Sequence, residues 1–272
     1  MATFQARPLH STIAGARPQS LAFACALACL IGLGCTSAEA VTSETELDAA
    51  LVEQARLEAR VAELEAKQRS LAAELKTERG CRAQLVDSLS AFADGPYTEI
   101  VGDVASEALT LLEDRVAARK RGEKLAVVFD VDETVLSNIE QLEGSGYCFV
   151  RKDWNAWVES GAPSAMAGIK AVYDYAQAHE IAVVLITGRK ASQREATERA
   201  LRSAGFDGWD ALIVRDKSEQ EMSASEYKSG RRAKLEREGY TVVLNLGDQH
   251  SDLDGGHAER TLLMPNPFYF VD

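Results

Sequence analysis

The sequence predicts an α/β fold: a doubly wound, mostly parallel sheet with a small cap, preceded by a long coiled-coil-like helix. Three observations carry that expectation. Short, β-rich apolar runs at residues 125–129, 181–186 and 241–246 each end abruptly in polar residues. Helical periodicity fills the intervals between them, the alternation expected of a parallel sheet with right-handed crossovers. Upstream, residues 47–78 step apolar positions by threes and fours without proline or glycine.

A helix over residues 99–119 leads into the first strand. Residues 125–129 show no alternation, so this strand is expected to be buried on both faces. It ends in Asp130 and Asp132, one residue apart. In an open α/β sheet the ligand crevice lies outside the carboxyl ends of the strands, which puts both acids where chemistry is done. If the extended conformation continues, both point the same way. Two close carboxylates do not stay ionised without a cation or a shared proton. The second run ends in Thr187-Gly188-Arg189, and the third in Gly247-Asp248 with Asp252 following. Lys228 lies between them, ahead of a basic segment over residues 231–237. Singly, Thr187 reads as a helix N-cap, Asp248 as a turn residue and Lys228 as a solvated charge. In this order, at one sheet edge, they read as a site. A shorter fourth strand is expected at 211–214, and helices at 165–178, 193–204 and 226–238. Residues 137–164 interrupt the rhythm and carry Tyr147, Phe149, Trp154 and Trp157. They read as a small cap over the site, with core packing an equal reading for one of the two tryptophans.

Residues 129–138 (FDVDETVLSN), 183–189 (VVLITGR), 226–232 (EYKSGRR) and 247–253 (GDQHSDL) resemble, in order, the four motifs of haloacid-dehalogenase (HAD) superfamily phosphatases. The closer similarity is to the acid phosphatase family of plant vegetative storage proteins and bacterial outer-membrane lipoprotein acid phosphatases. Residues 152–157 (KDWNAW) and 263–269 (LMPNPFY) are also family-like. The resemblance covers roughly residues 95–272. His250 departs from it, since plant members resemble GDQWSDL. Storage-protein members can lose the first aspartate; here Asp130 is present.

The resemblance implies hydrolysis of small-molecule phosphomonoesters through an aspartyl-phosphate, with Mg²⁺ as cofactor. Asp130 would be the nucleophile and a metal ligand, and Asp132 the general acid and base, its backbone carbonyl also on the metal. Asp248 would complete the protein ligands, with Asp252 orienting water behind them. Thr187 and Lys228 would hold the phosphoryl oxygens. Trp154 or Trp157, together with Tyr269, would grip a flat leaving group such as a nucleoside. The alternatives are a storage or binding protein on the same fold with little activity, and an envelope tether. The intact set of Asp130, Thr187, Lys228 and Asp248 argues against the storage reading.

At 272 residues the chain has room for one α/β domain and something more. Its net charge of −12 argues against nucleic acid and anionic membrane surfaces as partners. It also repels phosphate at long range, so a phosphate site needs local positive charge. Cys25, Cys29 and Cys35 lie in the N-terminal apolar segment, leaving Cys81 and Cys148 for the body. Their spacing fits no metal site. Free thiols and a disulfide in an oxidising compartment both fit.

The expected division is a signal over residues 1–40, a helical coiled-coil stalk over 41–94 and the catalytic domain over 95–272. Arg7, His10 and Arg17 precede an apolar stretch at 21–33, the pattern of an export signal, too short for a comfortable membrane span. Ala38-Glu39-Ala40 fits a cleavage site before Val41. Gly32-Leu33-Gly34-Cys35 instead resembles a bacterial lipobox, with Gly32 where leucine is usual, and would make Cys35 a lipidated membrane anchor. Either pattern implies export to the bacterial cell envelope, as a periplasmic protein or an outer-membrane lipoprotein. Leu47, Ala50, Gln54, Leu57, Val61, Leu64, Gln68, Leu71 and Leu75 form a heptad seam. A lone helix cannot bury this stripe, so self-association through residues 47–78 is expected, with packing onto the catalytic domain as the alternative. Gly80 and then Asp94-Gly95-Pro96 mark the expected exit.

Overall fold

The computed structural model describes residues 37–270, with side chains from residue 45 onward. The export signal, with Cys35 and the side chains around the Ala38–Ala40 pattern, lies outside the described residues. The chain divides between Glu74 and Leu75 into two units.

The helix α1 (Ser37–Ala93) makes up the described part of the first unit and continues into the second. Gly80 does not end it. No atom lies within 4 Å of where a Cβ would stand at Gly80, so the residue sits on an open helical surface. There its cost is only about 1 kcal/mol relative to alanine, which the surrounding helix formers absorb. The break comes instead at Asp94-Gly95, where Pro96 opens α2 (Pro96–Ala117) with the fixed φ suited to a first helical residue. The last turns of α1 belong to the second unit's core: Ala93 is buried, and Leu89 and Phe92 pack against it.

The second unit is built on a parallel five-stranded sheet. Its strands are β1 (Lys124–Phe129), β4 (Ala182–Lys190), β5 (Ala211–Arg215), β6 (Tyr240–Gly247) and β7 (Thr261–Leu263), in the spatial order β5-β4-β1-β6-β7. A separate ribbon pairs β2 (Leu136–Ser137) antiparallel with β3 (Ser164–Ala165). The helices are α3 (Ile139–Gly144), α4 (Arg151–Ser160), α5 (Ile169–Ala178), α6 (Arg194–Ser203), α7 (Ala224–Arg237) and α8 (His250–Leu253).

The unalternated run of β1 follows from its central place. Leu125, Val127 and Phe129 enter the larger core, with Tyr173, Leu185 and Phe206. Ala126 and Val128 enter a second core on the other face, with Ile186, Tyr227 and Val242. Strands buried on both faces need no polar side. Helix α2 contributes Tyr97, Val101, Ala105, Ala108 and Leu112, one face at helical spacing.

Three elements differ from the sequence expectation. The helix expected from residue 165 begins only at Ile169. Gly168 has φ +74°, and a Cβ there would meet the Cβ of Ala105 at 2.7 Å, so the chain turns before the helix starts. Strand β4 runs four residues past Ile186, with a register shift against β5. Strand β7, three residues long and largely exposed, is too short to show periodicity.

The segment between β2 and β3 carries α3 and α4 and forms the small cap. Tyr147 stacks on Phe268 with ring centroids 5.4 Å apart, whereas Phe149 is 69% exposed.

Helix α8 has only four residues and is held from outside. Arg232, fully buried on α7, donates to the carbonyls of Asp252 (2.5 Å), Gly256 (2.9 Å), Leu253 (3.4 Å) and Asp254. Asn245 of β6 donates to the Asp252 carbonyl at 3.0 Å. Burial lowers the Arg232 pKa, with the nearby acids opposing that shift. Arg232→Met keeps most of the volume but strips these carbonyls of their donor, each such loss costing roughly 1–3 kcal/mol. Urea denaturation is expected to show a loss of about 3 kcal/mol or more, and an unchanged midpoint would mean that α8 holds without this contact.

Candidate active site

The carboxyl ends of β1, β4 and β6 converge with the N-terminal half of α7. Asp130 follows β1 directly, and its backbone N–H donates to the Leu246 carbonyl at 2.9 Å, fixing it beside β6. Its buried carboxylate accepts from Lys228 Nζ at 2.5 Å, and the same ammonium bonds Asp252 Oδ1. Lys228 is placed by α7, whose start is set by a capping box between Ser223 and Glu226.

Strand β6 ends in Gly247 for a steric reason. A Cβ there would stand 2.2 Å from the Cβ of Asp252, so only glycine lets α8 fold back against the strand. Asp248 follows, its Oδ2 accepting from Gln249 Nε2 (2.6 Å) and Asn266 Nδ2 (2.7 Å). Asp252 Oδ2 accepts from the Gln249 backbone N–H at 2.9 Å. One carboxylate oxygen from each of Asp130, Asp248 and Asp252 lies within 4.8 Å of the others.

Asp132 stands apart from that trio. Strand β1 stops at Phe129, so extended periodicity does not carry from Asp130 to Asp132. The chain turns instead: the N–H groups of Val135 and Leu136 both donate to the Val131 carbonyl, and Glu133 has φ +52°. Arg189 then takes the Asp132 carboxylate in a two-pronged grip, Nε to Oδ2 at 2.9 Å and Nη2 to Oδ1 at 2.5 Å. Asn138 Nδ2 adds a third donor at 3.0 Å. Thr187 is buried at the same edge, its Oγ1 accepting the Arg189 N–H at 3.1 Å.

A second network lies beside the first. Glu133 accepts from the Asn138 N–H (2.7 Å), from Asn138 Nδ2 (3.3 Å) and from the Tyr269 hydroxyl. Asn138 Oδ1 accepts from Trp157 Nε1 at 2.7 Å. Of the three aromatic residues expected at the leaving group, Trp157 is therefore tied by its indole N–H and Tyr269 by its hydroxyl. Trp154 carries the Arg189 guanidinium 6.0 Å from its ring centroid.

Burial pushes Asp130 well above the usual carboxylate range; Lys228 pulls it back, while Asp252, Asp248 and Asp132 add to the rise. Burial and then Asp252 push Asp248 up to about 7. Glu133 is likewise pushed up to about 7, by burial and then Asp132. Burial lowers the Lys228 and Arg189 pKa values, but their acid partners more than reverse this and hold both cations charged. Five acids (Asp130, Asp132, Glu133, Asp248 and Asp252) thus face two engaged cations, since Arg232 is occupied by carbonyls. A cluster of this kind takes up either protons or a cation. Asp130, Asp248 and Asp252 gather hard oxygen donors, a set that suits a divalent cation.

The sequence reading gave no role to Arg189, Glu133, Asn138, Gln249, Asn266 or Arg232. All six lie inside the motifs given above, Asn266 between two prolines in the closing one. The opposite edge of the sheet has a 450 Å³ depression lined by Arg119, Lys124, Glu180, Asp210 and Tyr240 among others. It lies at the amino ends of the strands, where doubly wound sheets do not place their chemistry.

Acid phosphatase 1 of Solanum lycopersicum is 36% identical over 148 residues, covering 53% of this chain and 58% of that protein. Vegetative storage protein 2 of Arabidopsis thaliana is 30% identical over 148 residues, covering 53% and 56%. The chain thus matches little more than half the length of these curated relatives. The class C acid phosphatase of Bacillus anthracis shares the fold, with a TM-score of 0.58 at 21% identity over 70% of this chain and 86% of that one. The model of HAD superfamily subfamily IIIB (acid phosphatase) matches residues 48–272, and with Asp130, Thr187, Lys228 and Asp248 gathered at one sheet edge the chain belongs to that family.

Proposed function

We propose that the chain is an exported, Mg²⁺-dependent phosphomonoesterase working through a covalent aspartyl-phosphate on Asp130. The observation that carries this reading is the buried Asp130 at the end of β1, held by Lys228 and gathered with Asp248 and Asp252. Asp130 and Asp248, with the backbone carbonyl of Asp132, would hold the cation, and Asp252, gathered with them, would orient its water. When bound, the cation supplies the positive charge that lets a carboxylate approach a phosphate dianion.

An Asp130 oxygen attacks phosphorus in line, and the bond to the leaving oxygen breaks as Asp132 gives that oxygen its proton. Water then attacks the aspartyl-phosphate, its proton passing to Asp132, which releases inorganic phosphate and restores Asp130. Arg189 and Asn138 fix the direction in which Asp132 acts. Thr187 and Lys228 stabilise the phosphoryl oxygens as charge spreads over them. Trp154, whose ring lies beside Arg189, would face a flat leaving group, which favours nucleoside monophosphates and aryl phosphates. Residues 1–40 support export, with Cys35 as the anchor if the lipobox is used. The relation to a vegetative storage protein keeps a second reading, a storage protein of the same fold, and activity decides between them.

Asp130→Asn is expected to lower hydrolysis of an aryl phosphate by more than about 100-fold with unchanged thermal stability. Activity retained above a percent or so would exclude the covalent route.

Cation binding should follow the acid cluster. Ligation requires deprotonated carboxyls, and Asp248 without metal is pushed up to about 7. The Mg²⁺ affinity read by calorimetry should therefore weaken steadily as pH falls below about 7 and level off above it. An affinity that does not change between pH 5 and 8 would remove Asp248 from the ligand set.

Stacking of a base on an aromatic ring contributes about 1–3 kcal/mol, or about 5- to 150-fold. Trp154→Ala should raise KM within that range for nucleoside monophosphates and leave glycerol phosphate within about twofold. Equal losses for both classes would assign Trp154 to packing alone.

A further inference from the structure

The helical segment from Leu47 to Leu75 carries an apolar seam with no cover among the described residues. Leu47 is 61% exposed, Leu57 57%, Val61 53%, Leu64 51% and Leu71 50%. We infer that this seam closes on a second copy of the chain, as a parallel, two-stranded coiled coil in register from Leu47 to Leu75. The inference does not rest on the phosphatase reading.

The repeat itself calls for a supercoiled partner. In heptad terms Leu47, Gln54, Val61, Gln68 and Leu75 occupy a, and Ala50, Leu57, Leu64 and Leu71 occupy d. A strict seven-residue repeat drifts about 20° per heptad around a straight helix. Such a stripe stays buried only against another helix that winds with it, here over about 42 Å of axis. Leucine at d with Val61 at the central a layer is the two-stranded pattern.

Orientation and register follow from the polar layers. Parallel and in register, Gln54 meets Gln54 of the second copy and Gln68 meets Gln68, amide to amide. Antiparallel pairing would set both against d-layer leucine or alanine, and a one-heptad shift would set them against valine or leucine. Each unpaired buried amide costs roughly 1–3 kcal/mol.

The flanking charges agree. Arg60 and Glu74 at g face Glu65 and Arg79 at e of the second copy, two opposite-charge pairs. Glu53 faces Glu58, a single like-charge pair. Arg60 is paired within its own helix to Glu63 at 2.6 Å, but with both side chains more than 60% exposed that contact is weak enough to be exchanged. A lipid surface is the poorer occupant. Residues 45–78 carry eight acidic against five basic residues, which an anionic leaflet repels.

Sedimentation equilibrium on the full chain should give twice the chain mass. Leu57→Asp combined with Leu64→Asp should weaken association by more than about 100-fold. The unfolding midpoint of the catalytic unit should not move, which separates lost association from misfolding. Orientation is read by cysteine cross-linking in a chain whose native cysteines are serine. Gln54→Cys and Gln68→Cys, made separately, should each oxidise to a disulfide-linked dimer, while Glu63→Cys at an outward position should not. A monomeric or trimeric wild type, a dimer that survives the double aspartate variant, failure of either glutamine position to cross-link to itself, or a monomer that floats with phosphatidylglycerol vesicles through this seam would each overturn the inference.

Discussion

Carboxyl groups crowded at one edge of a sheet repel each other, and much of the second unit can be read as the means of holding them there. Lys228 lies between Asp130 and Asp252, and its single ammonium bonds both. In a buried setting little water screens the attraction of an ammonium to two carboxylates, and losing the ammonium would leave both acids uncompensated. The position of Lys228 therefore fixes the distance between the end of β1 and the start of α8. Helix α7 has to be long enough, and anchored firmly enough, to deliver it. The buried face of α7 serves that purpose with Tyr227 in the second core and Arg232 clasping the α8 carbonyls.

The same constraint explains why the acids divide into two groups. Had β1 stayed extended through Asp132, a fourth carboxylate would have joined Asp130, Asp248 and Asp252 with no further cation beside it. The turn after Phe129 carries Asp132 to Arg189 instead, at the end of β4. The division gives each acid its own partner: Lys228 holds Asp130, while Arg189 and Asn138 hold Asp132.

The fold was legible in the sequence wherever burial on two faces leaves an unbroken apolar run, as in β1, β4 and β6. It was illegible where a backbone constraint overrode pattern. Gly168 delays α5 because its neighbour Ala105 leaves no room for a side chain, and that contact comes from a helix more than sixty residues earlier. Asp130, Asp132 and Asp248 stood out because they follow apolar strands, whereas Lys228, on α7, stood out only by the order in which its motif falls between them. Glu133 and Asn266 were harder to see, because a partner of each comes from a separate element of the chain. Asn266 reaches Asp248 across 18 positions, and the Tyr269 hydroxyl meets Glu133 across 136. The role of Arg189 does not show in its motif, since nothing local says that its guanidinium turns back to Asp132.

The net charge of −12 sets a last condition on how a phosphate could be received. Screening limits the reach of that charge to about 8 Å at physiological ionic strength, so the local balance decides. Without a cation, burial keeps protons on part of this cluster, Asp248 and Glu133 both being pushed up to about 7, and only Lys228 and Arg189 offset the acids that stay ionised. A divalent cation brings the count to four positive against five negative. Glu133, pushed up to about 7 and hydrogen-bonded to Tyr269, can hold the proton that levels it. Under the proposed function, a bound cation and a proton on Glu133 would together make this edge of the sheet receptive to phosphate, and the hydroxyl bonded to that acid comes from Tyr269 in the closing segment of the chain.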